Sequence, residues 1–203
     1  MEQNYEKLKM ALRYRLQGKG YHKALRAMNF AEKFHSGTRK DGNPEFSHQV
    51  SIAAYAITVL NGYEFEEELL CIIFLHDIME DYGVSYSELL ELFGQTVADG
   101  VKRMSKVQRG VKMGNDEYYR ILGETALSAL AKGFDRVHNL MTMLGGFKPE
   151  KQMSYIQETK DYVLPLLKNA RREFPEIELI IENIKFVMAN QIRLYVELNK
   201  EVA

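Results

Sequence analysis

Ile72-Ile73-Phe74-Leu75-His76-Asp77-Ile78-Met79-Glu80-Asp81 is the stretch on which the reading of this chain turns. It is apolar until it delivers one imidazole and three carboxylates within about two helical turns, a dense set of metal ligands and acid/base groups. Burying such a cluster is costly unless its members are paired or used. Residues four apart share a helix face, so Glu80 falls one turn beyond His76 and Asp81 one turn beyond Asp77. A metal gripped by His76 and Asp77 would have two further carboxylates beside it, able to position or deprotonate a metal-acidified water, as phosphoester hydrolysis requires. The alternative for Glu80 and Asp81 is a solvated helix end, but carboxylates there oppose the macrodipole, which argues that they are kept for function.

Outward from this stretch the apolar spacing stays helical, as in Leu8, Leu12 and Leu16 or Ala27, Phe30, Ala31 and Phe34, and no segment alternates like a strand. Period and breakers predict helices over about 2–17, 20–35, 47–60, 66–79, 85–93, 95–105, 117–132, 134–144, 150–172 and 176–201. Ser85 and Glu88 have the spacing of a capping box, Pro165 should kink the ninth helix, and Phe174-Pro175 should separate the last two. There is no internal repeat, low-complexity tract or linker. The expected fold is an all-α bundle of about nine or ten helices, with 1–203 as one domain and 150–203 as its C-terminal helical part.

Composition narrows the function. With 46% hydrophobic and 27% charged residues among 203, the chain is an ordinary globule and not a disordered one. A formal net charge of -1 removes any global electrostatic case for nucleic acid or membrane binding. The single cysteine, Cys71, lies in the apolar run and reads as an inert core thiol, which suits a reducing compartment. Met1 to Arg15 lacks an apolar signal core, and no stretch approaches the ~20 apolar residues of a spanning helix, so a cytoplasmic location is expected. Against the slightly negative total, Lys102, Arg103, Lys106, Arg109 and Lys112 form an acid-free basic segment. Its readings are capture of a polyphosphate, with Gly110 and Gly114 letting it close, or a solvated helix end running into a loop.

Three other places carry suitable ligands: His35 and His48, which flank the loop 36–44, and Asp135 with His138. Singly, each is more often a cap or a satisfied core residue than a ligand. Together, histidine and carboxylate suit a divalent ion such as Mn²⁺, Fe²⁺ or Zn²⁺, and the absence of clustered cysteines argues against structural zinc. Asn139 shares a face with Asp135 and could orient a substrate hydroxyl. Arg136 reads most simply as a structural ion pair, and Tyr118, Tyr119, Met141, Met143 and Met153 as packing.

Taken in order, His48, His76-Asp77 and Asp135 resemble the ligand set of the HD phosphohydrolase superfamily. More closely, His35-Ser36-Gly37-Thr38-Arg39-Lys40-Asp41-Gly42-Asn43-Pro44 through His48, then His76-Asp77-Ile78-Met79-Glu80-Asp81, then Asp135-Arg136-Val137-His138-Asn139-Leu140-Met141-Thr142, resemble the hydrolase domain of the RelA/SpoT alarmone enzymes. Glu158-Thr159 to Leu164-Pro165-Leu166 is similar to that family's following helix. The resemblance implies hydrolysis of the 3′-pyrophosphate of guanosine tetra- or pentaphosphate (ppGpp, pppGpp) to GDP or GTP and pyrophosphate, with Mn²⁺ as the expected metal. It implies His48, His76, Asp77 and Asp135 as ligands and Glu80 with Asp81 as the pair handling the attacking water. Arg39 and Lys40 would meet base and phosphates, and Asn139 and Thr142 the sugar and phosphate side.

The pattern reaches at least Leu166, and the remainder is short for a second domain. The expectation is therefore a stand-alone small alarmone hydrolase, functionally paired with a synthetase encoded elsewhere. The chain departs from the family pattern at Asp41 (commonly serine), Glu45 (tyrosine), Gln49 (proline), Tyr82 (threonine) and Met141 (arginine). The new carboxylates at Asp41 and Glu45 bear on substrate choice. Rival readings keep the metal centre but change the substrate to an adenosine alarmone, NADPH or another nucleotide, or make the domain a non-catalytic binder of an alarmone or protein partner. The terminal helices, 150–172 and 176–201, leave a homo-oligomer open.

Overall fold

The computed structural model describes residues 5–40, 42–108 and 110–200. Helices α1 (Tyr5–Gly18), α2 (His22–Phe34), α3 (Ser47–Val59), α4 (Glu66–Leu75), α5 (Ile78–Tyr82), α6 (Tyr86–Phe93) and α7 (Gln95–Met104) lead to a hairpin of β1 (Val107–Gln108) and β2 (Val111–Lys112). Then come α8 (Asn115–Leu122), α9 (Ala126–Gly146), α10 (Pro149–Glu158), α11 (Leu164–Glu173) and α12 (Glu178–Lys200). Counting α10 and α11 as one rod, and the single-turn α5 with α4, leaves ten helices among the described residues, the all-α bundle that the spacing predicts.

Helix α4 is the hub. Every residue from Leu69 to Leu75 is at most 1% exposed, because a helix that is apolar on all sides has to be wrapped on all sides, and α2, α3, α7 and α9 do so. Each fully buried Leu, Ile or Phe here contributes about 1.5–3 kcal/mol of transfer free energy. The Cys71 thiol is inside this core, pushed up by burial and matching its expected inert role. At the start of α4, Glu66 is buried but joined to Lys19 at 2.8 Å. At its far end, α3 and α9 converge on His76 through His48 and Asp135.

Four local expectations need correction. The helix expected over 66–79 stops at Leu75, and His76 and Asp77 form a junction before α5. His76 Nδ1 lies 2.8 Å from the Ile73 carbonyl, the acceptor an unbroken helix would offer to the Asp77 amide. The helix expected over 117–132 is broken between α8 and α9, where Thr125 caps the Ser128 N–H at 3.2 Å. Gly133 is no breaker at all: a Cβ there would lie 3.2 Å from Ile184 and Leu167 side chains, so the glycine lets α9 lie close against α11 and α12. The basic segment contains two short strands, in register as Val107 with Lys112 and Gln108 with Val111, and Gly110 turns between them at φ 77°. Arg109 lies outside the described residues.

Other punctuation behaves as the sequence suggests. Ser85 accepts from the Glu88 N–H at 3.2 Å, and Gly83 ends α5 in the left-handed conformation at φ 68°. Pro165 lacks an N–H and would collide with the carbonyl four residues back, so the rod widens into a π turn over Thr159–Val163 before α11 resumes. Among the described residues, no helix is long and apolar enough to cross a membrane.

Candidate metal centre

Three elements deliver the cluster. His48 lies in the first turn of α3, His76 and Asp77 occupy the α4–α5 junction, and Asp135 comes from the middle of α9. One ligand atom from each of His48, His76 and Asp77 falls within 4.8 Å of the others, a set that could hold a metal ion. Asp135 joins it through Oδ1, which is 3.3 Å from His48 Nε2 and 3.9 Å from His76 Nε2. His76 Nε2 is also 3.0 Å from Asp77 Oδ2.

The far side of each ring explains what that geometry is for. His76 Nδ1–H donates to the Ile73 carbonyl, which leaves the Nε2 lone pair facing the carboxylates. His48 Nδ1 is 2.8 Å from His138 Nδ1, and with the proton on His48 its Nε2 likewise turns a lone pair to Asp135. Imidazole lone pairs set against carboxylate oxygens at 3–4 Å call for a cation between them, a proton or a metal. The donor set of two imidazoles and two carboxylates fits a divalent ion of intermediate hardness.

Titration directions show the same field. Burial opposes charging of His76, but Asp77 and then Asp135 outweigh it and lift it to about 9. Burial would raise Asp77, yet His76 and then His48 take it down to about 2. Asp135 ends well below the usual carboxylate range, burial notwithstanding, because Lys132, His48 and His76 face it. For His48 burial wins and its value falls.

Asp135 is held on both oxygens, by Lys132 Nζ at 3.0 Å on Oδ2 and by Asn139 Nδ2 at 2.6 Å on Oδ1. Lys132, Asp135, Asn139 and Thr142 follow the three- and four-residue spacing of one helix face. Asn139 thus directs its amide nitrogen to Asp135, and the Thr142 hydroxyl donates to the His138 carbonyl at 2.9 Å. Glu80 and Asp81 are both exposed on α5. Glu80 Oε2 accepts the Lys106 N–H at 2.7 Å, which ties the start of the hairpin to the acidic helix. Partial burial, then Asp77 and Glu80, raise the Asp81 carboxyl.

Arg39 and Lys40 sit at the tip of a loop closed by a Thr38–Pro44 bridge, where Arg39 N–H donates to the Asn43 carbonyl at 2.9 Å. The loop runs between His35 and His48, so both its ends are anchored at the cluster, but among the described residues neither cation contacts a ligand side chain. Asp41 lies outside the described residues. Glu45 is folded back: its Oε2 accepts the Gly37 N–H at 3.1 Å and it faces the Tyr82 hydroxyl, which burial and then this carboxylate push up.

Two participants escape the sequence reading. Lys132 reads as an ordinary surface lysine, and its only signal is the three-residue spacing to Asp135. Among the described residues, His35, a ligand candidate from sequence, reaches the cluster through Gln49. The basic segment divides: Arg103 pairs with Glu124 at 3.6 Å, Lys102 lies over Tyr86, and Lys106 bonds Asn115. Arg136 is the structural pair expected, 3% exposed and 3.1 Å from Glu158. Tyr118, Tyr119 and Met143 are core, whereas Met141 and Met153 are about half exposed.

The chain is 29% identical over 179 residues to the bifunctional (p)ppGpp synthase/hydrolase SpoT of Escherichia coli K12, covering 84% of this chain and 25% of that protein. It is 31% identical over 150 residues to a probable guanosine-3′,5′-bis(diphosphate) 3′-pyrophosphohydrolase of Synechocystis, covering 70% of this chain and 19% of that one. The chain thus spans about a quarter or less of the length of these curated relatives. A solved metazoan ortholog of SpoT that hydrolyses ppGpp shares the fold at a TM-score of 0.61 and 20% identity, over 80% of this chain and 93% of that one. The HD domain pattern matches residues 27–170, a span that includes His48, the His76-Asp77 pair and Asp135, and the chain belongs to the HD domain family.

Proposed function

We propose that this domain hydrolyses the 3′-pyrophosphate of guanosine tetra- or pentaphosphate, releasing pyrophosphate and GDP or GTP, with Mn²⁺ held by His48, His76, Asp77 and Asp135. The observation that carries the reading is the pair of imidazole Nε2 atoms set against Asp77 and Asp135 at 3.0 and 3.3 Å, each ring with its other nitrogen engaged. The names of the similar proteins, a (p)ppGpp synthase/hydrolase and a probable 3′-pyrophosphohydrolase, support the substrate class.

When bound, a divalent ion supplies an acidified water and a Lewis-acid contact to the phosphoryl oxygen. The chain's own residues manage the rest. Asp81, with its raised carboxyl, takes a proton from the attacking water while the new P–O bond forms. The bond from the same phosphorus to the 3′-oxygen breaks, and that oxygen receives a proton by way of the Glu80–Asp81 pair, so pyrophosphate leaves carrying the water oxygen. Arg39 and Lys40, which have no ion-pair partner among the described residues, offset substrate charge. Asn139 and Thr142 contact the sugar and phosphate side, their remaining acceptor oxygens taking a sugar hydroxyl and the second amide N–H of Asn139 donating to phosphate. In a cell this activity opposes an alarmone synthetase.

A panel of guanosine and adenosine alarmones and NADPH, assayed for pyrophosphate against orthophosphate with added Mn²⁺, tests the assignment. Pyrophosphate from the guanosine alarmones is expected. Their survival while another nucleotide is consumed would overturn the substrate, and inertness toward the whole panel would overturn catalysis.

A further inference from the structure

Gln49 is 1% exposed, one residue after His48 in the first turn of α3, and its side chain sits between two others. Its Nε2 lies 2.9 Å from His35 Nε2 and 3.3 Å from Asp77 Oδ2. His35, itself 5% exposed, fixes the direction of that amide. His35 Nδ1 is 2.9 Å from the Ala31 carbonyl, which can only accept, so Nδ1 carries the proton and Nε2 presents a lone pair to Gln49. Gln49 therefore donates one N–H to His35 and the other to Asp77. The flipped amide would set its oxygen against a carboxylate and a lone pair at once. The price of this orientation is visible: Gln49 Oε1 is buried with no partner among the described residues. An orphaned buried acceptor costs more than a hydrogen bond of ordinary net value returns.

His35 is held in turn. Its ring meets Tyr82 edge-on at 4.8 Å and Phe46 at 6.0 Å, so the acceptor that aims Gln49 cannot swing. A bidentate-capable carboxylate at a helix junction has free torsions, and among the described residues His76 is the other side chain that anchors Asp77. We infer that Gln49, backed by His35, is a positioning residue that fixes the Asp77 carboxylate for metal binding. This rests on the reading of His48, His76, Asp77 and Asp135 as ligands. Where proline is common in the resembling family, neither N–H would be present, so this chain has its own way of holding the ligand.

The test is calorimetric titration of the metal-free protein with Mn²⁺ alone, wild type against Gln49→Met, with thermal unfolding of both. Methionine nearly conserves volume and removes the orphaned acceptor together with both donors. Retained unfolding temperature with Mn²⁺ bound about 10–100-fold more weakly is the expected result, the usual effect of losing a partner of a metal ligand. Equal Mn²⁺ affinity in the variant would overturn the inference and leave the metal reading standing, whereas a wild type that takes up no Mn²⁺ would overturn both. Should Gln49→Met fail to fold, Gln49→Leu removes the same donors in a smaller apolar side chain, with the same weakening expected and the same overturning result.

Discussion

The backbone N–H of Lys106 donates to the Glu80 carboxylate at 2.7 Å, joining the basic hairpin to the acidic helix across 26 residues of sequence. Glu80 thus anchors the hairpin, and the proposed mechanism gives it proton handling as a second, separable job. Glu80→Gln keeps a carbonyl oxygen to accept the Lys106 N–H but removes the carboxylate; Glu80→Ala removes both. With kcat for pyrophosphate release as the readout, the glutamine variant should fall by about 10²–10⁴, the range of general acid/base catalysis, with KM little changed. The alanine variant should lose as much in kcat and also raise KM. Near-normal kcat in Glu80→Gln would remove Glu80 from the chemistry.

The His76–Asp77 pair sets a pH dependence in the metal-free state. His76 is raised from 6.5 to about 9, so its contribution to stability is full below 6.5 and is lost as pH rises through 9. Asp77 is lowered from 3.8 to about 2, so its share is present above 3.8 and lost as pH falls through 2. Without metal, the pair therefore stabilises most between about pH 4 and 6.5. Mn²⁺ must displace the His76 proton, so its affinity should tighten between pH 7 and 9, by up to about tenfold per unit. Titrations at several pH values check this, and a flat affinity over that range would show that His76 is not a ligand.

Lys132 holds Asp135 at 3.0 Å with both side chains largely buried. Lys132→Met leaves a buried carboxylate short of its nearest countercharge, a change that costs about 3–5 kcal/mol. Chemical denaturation of the metal-free variant should register that loss, and saturating Mn²⁺ should recover part of it by supplying positive charge to the same carboxylate. Loss below about 1 kcal/mol would mean that the pair is effectively solvated.

Gly37 and Glu45 set the shape of the loop that carries Arg39 and Lys40. A Cβ at Gly37 would lie 2.9 Å from Glu45 Oε2, so Gly37→Ala pushes the carboxylate off its backbone donor. Arg39→Ala and Gly37→Ala should both raise KM, the first through lost charge and the second through a displaced loop, while Mn²⁺ affinity stays at the wild-type level. Weakened Mn²⁺ binding in either would mean that the loop supports the metal centre itself.

The α-helical architecture and the four metal-ligand candidates were legible because each rests on a strong local signal: the apolar run 69–75 that must become a buried hub, and histidines and carboxylates in a familiar order. What escaped was set by contacts distant in sequence or by backbone competition. The break at His76 comes from an imidazole claiming the Ile73 carbonyl, which no period of hydrophobicity encodes. Gly133 looked like a breaker because only Ile184 and Leu167, far along the chain, reveal it as a close-packing residue. Lys132 reads as an ordinary surface lysine and Gln49 only as a departure from the family pattern until α3, α4 and α9 are brought together. Two departures from the expected pattern, Gln49 and Tyr82, meet at one histidine, His35, and a third, Glu45, faces Tyr82.

The most direct test of the central claim is hydrolysis of guanosine tetraphosphate in ¹⁸O-labelled water with added Mn²⁺, read by mass spectrometry of the products. The account predicts unlabelled GDP and pyrophosphate bearing one ¹⁸O, with no turnover in Asp77→Ala. Orthophosphate as the product, label in the nucleotide, or undiminished turnover in Asp77→Ala would contradict it.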